Sequence, residues 1–408
     1  MTAKTIDELI LPRLVALRGG IGNVPGVRLA GVHAGIKKRK RDLALIVFDA
    51  PQVCASVITT NEIKAAPLLV TRDSLKTHGS QMRALVCNSG CANACTGSKG
   101  ERDARATARQ AAALLGISKQ SVVVSSTGVI GVPLPIDRIS KSLERAVTDL
   151  EAGGEAAYDA AEAIMTTDRV PKLSAYAFYD GEKRYVVGGI AKGSGMISPN
   201  MATMLAFIAT DAPMSQEELQ AQIARCADGS FNMISVDGDM STNDAVYAFA
   251  PASGGKAPEH FGPALGKVCE ELAQAMVADG EGATKTLSVH VTGAQSEDQA
   301  RGIARAIINS NLVKTALFGE DPNWGRIVSA AGSARTGMDP EKWSLYVNDL
   351  LWVDVGAVEV LSEAEAHREL EHTKVHVRLD LGIGRASATG WGCDLSRDYV
   401  RINANYRT

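Results

Sequence analysis

The amino-acid sequence predicts an α/β (α+β) fold in which sheets and helices pack as the layers of a sandwich. Three observations predict it: strand-like segments have one apolar face, helix-like segments have one apolar stripe, and the two types alternate from end to end. No linker rich in Pro, Ser or Gly and no repeat of fixed period divides the chain. Because each apolar face must be covered by another element, such strands and helices pack against one another.

Three segments predict strands most clearly. In Thr286–Val291 and in Lys374–Leu381, apolar and polar residues alternate, which is typical of a sheet that is covered on one face. Ser121–Ser126 is a short run with three consecutive valines, and this β-branched composition favours a buried strand.

Four segments predict amphipathic helices. Ile136–Leu150 and Phe261–Ala278 carry apolar residues at helical spacing, and Gly280 is placed to end the second of them. Two further helices are predicted to begin after a capping Ser that is followed three residues later by Glu or Gln. These pairs are Ser215 with Glu218 and Ser296 with Gln299.

Composition and charge argue against several classes of protein. With 45% apolar and 22% charged residues, the 408-residue chain is typical of a soluble globular protein rather than a disordered one. A net charge of −3 leaves no basic surplus for nucleic acid, and no run of about 18 apolar residues predicts a membrane span. The N-terminus lacks the apolar segment of a signal peptide, and seven cysteines, an odd number, argue against a secreted disulfide scaffold. We therefore expect a cytoplasmic protein.

The segment 191–211 (AKGSGMISPNMATMLAFIATD) is the most unusual in the chain. A loop of small residues changes at Thr203 into an apolar, strand-like run. A hydroxyl residue at the start of a buried strand is what a self-cleaving enzyme with an N-terminal nucleophile requires. Cleavage before Thr203 frees an α-amine with a reference pKa of about 7.7–8.0, which can act as a base beside its own hydroxyl. The alternative is a glycine-rich turn that leads into a core strand.

Two further loops contain candidate site residues. In 125–133 (SSTGVIGVP), Thr127 and Gly128 stand between a strand and a helix, and their hydroxyl and N–H are suited to holding an oxyanion. The alternative is an ordinary turn before a helix.

The loop 88–97 (NSGCANACTG), together with Cys87, has a C-x3-C-x3-C spacing that does not match a zinc site. We therefore predict small buried thiols and no metal.

Taken together, these segments resemble the glutamate N-acetyltransferase family, also called the ornithine acetyltransferases, along nearly the whole chain. The motifs that carry the resemblance are, in order, AGIKKRKRDLALI, NSGCANACTG, SSTGVIGVPLP, IMTTDRVPK, KGSGMISPNMATML, DGDMSTND, ADGEGATK, VKTALFGEDPNWGRI and WGCDLSRDYVRINANYRT. Each motif is weak alone, but their shared order makes coincidence implausible.

The resemblance implies a self-processing acetyltransferase of arginine biosynthesis. The precursor is expected to cut itself between Ala202 and Thr203, giving an α chain (1–202) and a β chain (203–408) that stay co-folded and form a heterotetramer. Thr203 then accepts the acetyl group of N2-acetylornithine and passes it to glutamate, which gives ornithine and N-acetylglutamate by ping-pong kinetics. No cofactor is implied, although some members also use acetyl-CoA as a donor. The implied fold is a layered sandwich that resembles N-terminal nucleophile hydrolases but differs from them in topology.

The resemblance also implies roles for individual residues. Thr203 matches the nucleophile, and Thr127 and Gly128 match the oxyanion hole. The positions that match substrate-binding residues are Thr166, Lys192, Thr203, Glu281, Asn403 and Thr408. The ammonium group of Lys192 is suited to binding the α-carboxylate of ornithine or glutamate. The carboxylate of Glu281 is suited to binding an amine, either of the substrate or of the nucleophile.

Several alternatives stay open on the sequence alone. Lys192 and Glu281 also fit surface charges beside tight turns, and Thr167 competes with the adjacent Thr166. Arg169 stands where the family has a small or hydroxyl residue, which bears on substrate contact. A hydrolase on the same scaffold, with water in place of glutamate, is one alternative function. A non-catalytic binding or structural protein is another.

Overall fold

Strands and helices alternate through residues 14–198, 204–355 and 358–405, which are the ranges that the computed structural model describes. The strands are β1 (Val15–Leu17), β2 (Val27–Val32), β3 (Leu43–Ile58), β4 (Met82–Cys91), β5 (Val122–Val129), β6 (Lys172–Asp180), β7 (Lys183–Lys192), β8 (Leu205–Thr210), β9 (Ile234–Ser235), β10 (Ala245–Pro251), β11 (Thr286–Ala294), β12 (Ser344–Val347), β13 (Leu350–Asp354), β14 (Val358–Glu359), β15 (Lys374–Asp380) and β16 (Ala386–Cys393). The helices are α1 (Ala66–His78), α2 (Gly97–Leu115), α3 (Ile136–Thr148), α4 (Gly154–Ile164), α5 (Gln216–Gly229), α6 (Phe261–Ala278), α7 (Glu297–Asn309), α8 (Asn311–Gly319), α9 (Trp324–Ser333), α10 (Glu363–Leu370) and α11 (Arg397–Asn405).

The first sheet is mixed and is covered by helices on both faces. Its strand order is β1-β6-β7-β8-β10-β3-β4-β5, and β2 pairs with β3. In β8, Ala206 and Ile208 pack against α5 and α6, whereas Leu205 and Phe207 belong to a cluster that includes α4. Coverage on both faces explains why β8 is continuously apolar rather than alternating.

The second sheet, also mixed, has helices α7 to α10 packed on one face. Its strand order is β14-β13-β12-β15-β11-β16-β9. The alternation predicted for Thr286–Val291 and Lys374–Leu381 is confirmed, because the apolar residues of β11 and β15 are buried against those helices. The two helix-covered sheets confirm the predicted layered α/β fold.

The remaining predicted elements are confirmed with small changes at their ends. The strand predicted at Ser121–Ser126 runs from Val122 to Val129, because Ser121 belongs to a short 3-10 turn. The helix that begins at Ile136 ends at Thr148. Among the described residues, no helix has both the length and the apolar character that a bilayer crossing requires.

The helix ends follow the predicted caps in two cases and differ in one. The hydroxyls of Ser215 and Ser296 each accept the N–H three residues later, at 3.1 and 3.2 Å, as predicted. The helix Phe261–Ala278 has the predicted bounds, but the terminating role given to Gly280 is wrong. Gly280 does not adopt the left-handed conformation, and Asp279 stands at the end of the helix.

The two chains predicted from the resemblance meet within the first sheet. Strands β8 and β10, which follow residue 203, lie between β7 and β3, which precede it. Residues Val187–Lys192 of β7 pair antiparallel with Leu205–Thr210 of β8. Each part therefore supplies strands that the other part needs to complete one core.

Candidate functional site

A cavity of about 260 Å³ lies where the ends of β5 and β7 meet helix α11 and the loops after α4, β7, β9 and α6. Its lining includes six predicted residues: Thr127, Gly128, Thr166, Lys192, Glu281 and Asn403. Four larger grooves, of about 320, 430, 670 and 680 Å³, contain none of the predicted site residues. The smaller cavity is therefore the candidate site.

Thr127 and Gly128 form a wall of this cavity at the end of β5. They pair in parallel with Ser89 and Gly90 of β4. Gly128 has a φ of +128°, and a Cβ on it would lie 2.4 Å from the carbonyl carbon of Gly90, so only glycine fits there. The wall thus contains a hydroxyl and a backbone N–H of the kind that stabilises an oxyanion.

Asn243 braces this wall, although no role for it was predicted from the sequence. Its Nδ2 donates to the carbonyl oxygens of Ser126 (2.8 Å) and Ala92 (2.7 Å). Its Oδ1 accepts the Thr242 hydroxyl at 2.6 Å. Because Ser126 directly precedes Thr127, Asn243 fixes the strand that carries the predicted oxyanion hole.

Lys192 is a buried charge at the end of β7, and this burial excludes the surface-charge alternative. Its Nζ donates to Thr166 Oγ1 at 2.8 Å and lies 3.9 Å from Asp168 Oδ2. Burial raises the pKa of Asp168, but Lys192 and Lys172 outweigh that effect and hold this pKa well below its usual range. Thr167 lines the same cavity, but the hydroxyl that accepts the hydrogen bond of Lys192 belongs to Thr166.

A buried ion network supports the loop that carries Thr166. Lys172 Nζ donates at 2.7 Å both to Asp168 Oδ1 and to Asp279 Oδ2. Asp168 in turn accepts the backbone N–H of Thr166 at 3.0 Å. Arg169 pairs with Asp279 at 3.0 Å, has 61% of its side chain exposed, and is not among the residues that line the cavity. Its departure from the family pattern therefore affects this network rather than a cavity contact.

Glu281 enters the cavity from the loop after α6. Its Oε2 accepts Asn403 Nδ2 of α11 at 2.7 Å, and its N–H donates to the Ser194 carbonyl at 2.7 Å. It is only 8% exposed, which excludes the surface-charge alternative here too. A Cβ on Gly195 would lie 2.4 Å from the carboxyl carbon of Glu281. A glycine at this position thus leaves the space that the carboxylate occupies.

Asp237, Asp239 and Tyr399 also line the cavity, and no site role for them was predicted from the sequence. Asp237 accepts the N–H groups of Met196 (2.6 Å) and Ile197 (2.7 Å) and the hydroxyl of Tyr399 (3.2 Å). Burial raises the pKa of both Asp237 and Tyr399. Asp237 and Asp239 give the cavity an acidic side, whereas Lys192 supplies a cation.

The strand that follows the predicted nucleophile enters the sheet beside Lys192. Leu205 is the partner of Lys192 in the β7–β8 register, and the N–H of Met204 donates to Asp244 Oδ1 at 2.8 Å. Ala202, Thr203 and Thr408 lie outside the described residues, so the roles implied for them stay predictions.

A match to a family model shows to which protein family the chain belongs. The model of the ArgJ family matches residues 28–408. This chain belongs to the ArgJ family. The resemblance drawn from the sequence motifs is thereby confirmed. Two curated relatives carry the name arginine biosynthesis bifunctional protein ArgJ. The relative from Bacillus anthracis is 44% identical (96% of this chain, 97% of the relative), and that from Symbiobacterium thermophilum is 46% identical (96% and 99%).

One solved structure similar to this ArgJ-family chain is described as an ornithine acetyltransferase complexed with ornithine, from Mycobacterium tuberculosis. It is 41% identical, covers 46% of this chain and 98% of its own, and has a TM-score of 0.43. An argJ crystal structure from Bacillus halodurans is also 41% identical, covers 47% of this chain and 98% of its own, and has a TM-score of 0.45.

The three neighbouring cysteines of this ArgJ-family chain differ in their burial. Cys87 and Cys91 are buried, and burial raises the pKa of the Cys87 thiol to about 12. Cys95 is exposed, so the prediction of a buried thiol is wrong at that position. Its φ of +57° places it in a left-handed turn just before α2, which turns it toward solvent. The absence of a metal stays a prediction.

Proposed function

We propose that this enzyme of the ArgJ family moves the acetyl group of N2-acetylornithine to glutamate through an acetyl ester on Thr203. The observation that carries the proposal is the convergence of Thr127, Gly128, Thr166, Lys192, Glu281 and Asn403 on one cavity. These residues come from five separate segments, and β8, which begins two residues after Thr203, lies beside Lys192.

The charges of the cavity suit both proposed substrates. N2-acetylornithine and glutamate each carry an α-carboxylate, for which buried Lys192 is the matching cation. The free δ-amine of N2-acetylornithine matches the acidic side formed by Glu281, Asp237 and Asp239. The lining of the cavity thus presents both signs of charge, as N2-acetylornithine does.

The proposed chemistry needs a base, a nucleophile and an oxyanion hole. In the first half-reaction, Thr203 Oγ attacks the acetyl carbonyl and its proton passes to the α-amine freed by self-cleavage. The amide bond then breaks, and ornithine leaves with that proton on its α-nitrogen. In the second, the α-amine of glutamate attacks the ester and Thr203 regains its proton. Thr127 and Gly128 stabilise the two tetrahedral intermediates, and one such donor contributes about 2.7–4 kcal/mol.

Self-cleavage between Ala202 and Thr203 belongs to the same proposal. The α chain (1–202) and β chain (203–408) stay together because β8 and β10 lie between strands of the α chain in the first sheet. We also propose that two such pairs form a heterotetramer, that the enzyme is cytoplasmic, and that it needs no cofactor.

The dependence of ornithine release on glutamate distinguishes this transferase from the alternative hydrolase. Purified enzyme and N2-acetylornithine are incubated with and without glutamate, and ornithine, acetate and N-acetylglutamate are measured. We expect continuous ornithine release only with glutamate, with one N-acetylglutamate formed per ornithine. Continuous release of ornithine and acetate without glutamate would identify a hydrolase instead. Acetyl-CoA replaces N2-acetylornithine in a parallel assay, which tests it as a second donor.

Gly195→Ala tests the position of Glu281. The added methyl displaces the Glu281 carboxylate, and a shift of about 1 Å at such a group lowers activity by about 10²-fold. Gly254→Ala is the matched control, because its Cβ would meet no atom within 4 Å. Steady-state kinetics and the thermal midpoint are measured for both variants. Unchanged kinetics in Gly195→Ala would remove Glu281 from the proposed site.

A further inference from the structure

Asp244 is a fully buried carboxyl group next to the proposed reaction centre. It is 0% exposed and directly precedes β10, which begins at Ala245. Its Oδ1 accepts the N–H of Met204 at 2.8 Å, and its own backbone carbonyl accepts the N–H of Thr59 at 3.0 Å. Its Oδ2 has no hydrogen-bond partner within the part of the chain that the structure describes. Asp244 therefore fixes the chain one residue after Thr203 while one of its oxygens stays unsatisfied.

The surroundings of Asp244 compensate a negative charge only in part, because the effect of burial outweighs that of Lys192 and of the donors around the carboxyl. No cation lies within 4 Å of its carboxyl among the described residues, and the nearby Lys192 has Asp168 as its counter-ion. The Thr59 hydroxyl, which also lies near, donates instead to the Ser241 carbonyl at 2.9 Å. Burial with no cation in contact and with one oxygen unbonded disfavours the ionised carboxylate and favours its protonated form. In agreement, burial raises the pKa of Asp244 well above its usual value.

We propose that Asp244 is a positioning residue that works as an uncharged carboxylic acid, holding the amide of Met204 and with it the adjoining nucleophile. This inference rests on the proposed function, because it concerns the geometry of Thr203. A neutral group suits the position for a chemical reason. A carboxylate near the α-amine of Thr203 would stabilise its protonated form and weaken it as a base, and would oppose the oxyanion.

Asp244→Asn and Asp244→Ala test this role together. Asparagine keeps an acceptor for the Met204 N–H and is neutral, so we expect kcat to stay within about threefold of the wild type. Alanine leaves that N–H unpaired and the strand free to shift, and we expect kcat to fall by about tenfold to 10²-fold with little change in KM. If Asp244→Asn is as impaired as Asp244→Ala, the group acts as a carboxylate. If Asp244→Ala equals the wild type, Asp244 positions nothing.

Asp394→Asn is the matched control at another buried aspartate. Asp394 accepts the N–H groups of Thr284 (2.8 Å) and Lys285 (3.0 Å) on one oxygen and the Thr284 hydroxyl (2.6 Å) on the other. An asparagine amide cannot accept on both sides, so Asp394→Asn is expected to lower the thermal midpoint, whereas Asp244→Asn is not.

A spectroscopic measurement keeps the inference testable if Asp244→Ala does not fold. The infrared spectrum of the wild type at neutral pH should contain the carbonyl band of a protonated carboxylic acid that Asp244→Asn lacks. Identical spectra would overturn the uncharged form. This readout does not depend on enzyme activity. If the proposed acetyl transfer is wrong, the wild type itself does not turn over N2-acetylornithine. If only the role of Asp244 is wrong, the wild type is active and the two spectra are identical.

Discussion

Thr203→Ala is expected to remain a single chain and to lose acetyl transfer. Without the hydroxyl, neither the N→O shift that precedes cleavage nor the acetyl ester can form. Loss of a catalytic nucleophile lowers activity by at least about 10⁴-fold. Freshly purified wild type should give two bands on a denaturing gel, each near half of 42.9 kDa, and the new N-terminus should read Thr-Met-Leu-Ala.

Thr203→Ser and Thr315→Ala are the matched variants for this experiment. Serine keeps a hydroxyl and is expected to cleave, although more slowly, whereas Thr315 is an exposed residue of α8 whose loss should change nothing. A wild type that stays whole with full activity would contradict self-processing. A Thr203→Ala variant that is cut and active would show that another residue is the nucleophile.

Lys172→Met is expected to give the largest loss of stability. Lys172 is 1% exposed on its side chain and neutralises Asp168 and Asp279, which are equally buried. Breaking a buried ion pair on one side costs about 3–5 kcal/mol. Without Lys172, the two carboxylates keep only weaker partners, which are Lys192 at 3.9 Å from Asp168 and the largely exposed Arg169 beside Asp279. Since Asp168 also holds the N–H groups of Thr166 and Gly193, we expect lower activity as well. Thermal and denaturant unfolding measure the change.

The pH dependence of unfolding tests the direction of this change in stability. Lys192 and Lys172 keep the pKa of Asp168 below its usual value against the opposing effect of burial. The stability that this provides is present above the usual aspartate pKa and is lost as the pH falls through the lowered value. Lys172→Met should therefore unfold at a higher pH than the wild type during acid titration.

Arg169→Ala is the matched control for the ion network. Arg169 contacts the same Asp279, but its side chain is 61% exposed, so its pair should contribute no more than about 1 kcal/mol. Equal stability of Lys172→Met and the wild type would contradict the structural role given to the buried network.

Much of the fold was predictable because the pattern that specifies it is local. The helix Phe261–Ala278 and the alternation in β11 and β15 follow from apolar spacing within one segment. The residue that caps the end of α6 was not predictable, because the carboxylate of Asp279 is bound by Lys172, which lies 107 residues earlier in the chain. An interaction at that separation leaves no periodic signal near Gly280.

Some residues of the candidate site were likewise predictable from the sequence, whereas others were not. Lys192 and Glu281 were found because they stand in short motifs that match a family, but their burial and partners needed the structure. Asn243 and Tyr399 were missed as site residues, although both lie in motifs that carried the resemblance. Their bonds join residues 117 and 162 positions apart, to Ser126 and to Asp237. Residue type and spacing do not specify such pairs, which arise only when the sheet is assembled.

The most direct measurement is the mass of the peptide that begins at Thr203 after incubation with N2-acetylornithine alone. The proposed mechanism predicts that this peptide gains one acetyl group when glutamate is absent. Addition of glutamate should remove the group and produce an equal amount of N-acetylglutamate. An unmodified peptide, in an enzyme that forms N-acetylglutamate as soon as glutamate is added, would contradict the acetyl-Thr203 intermediate.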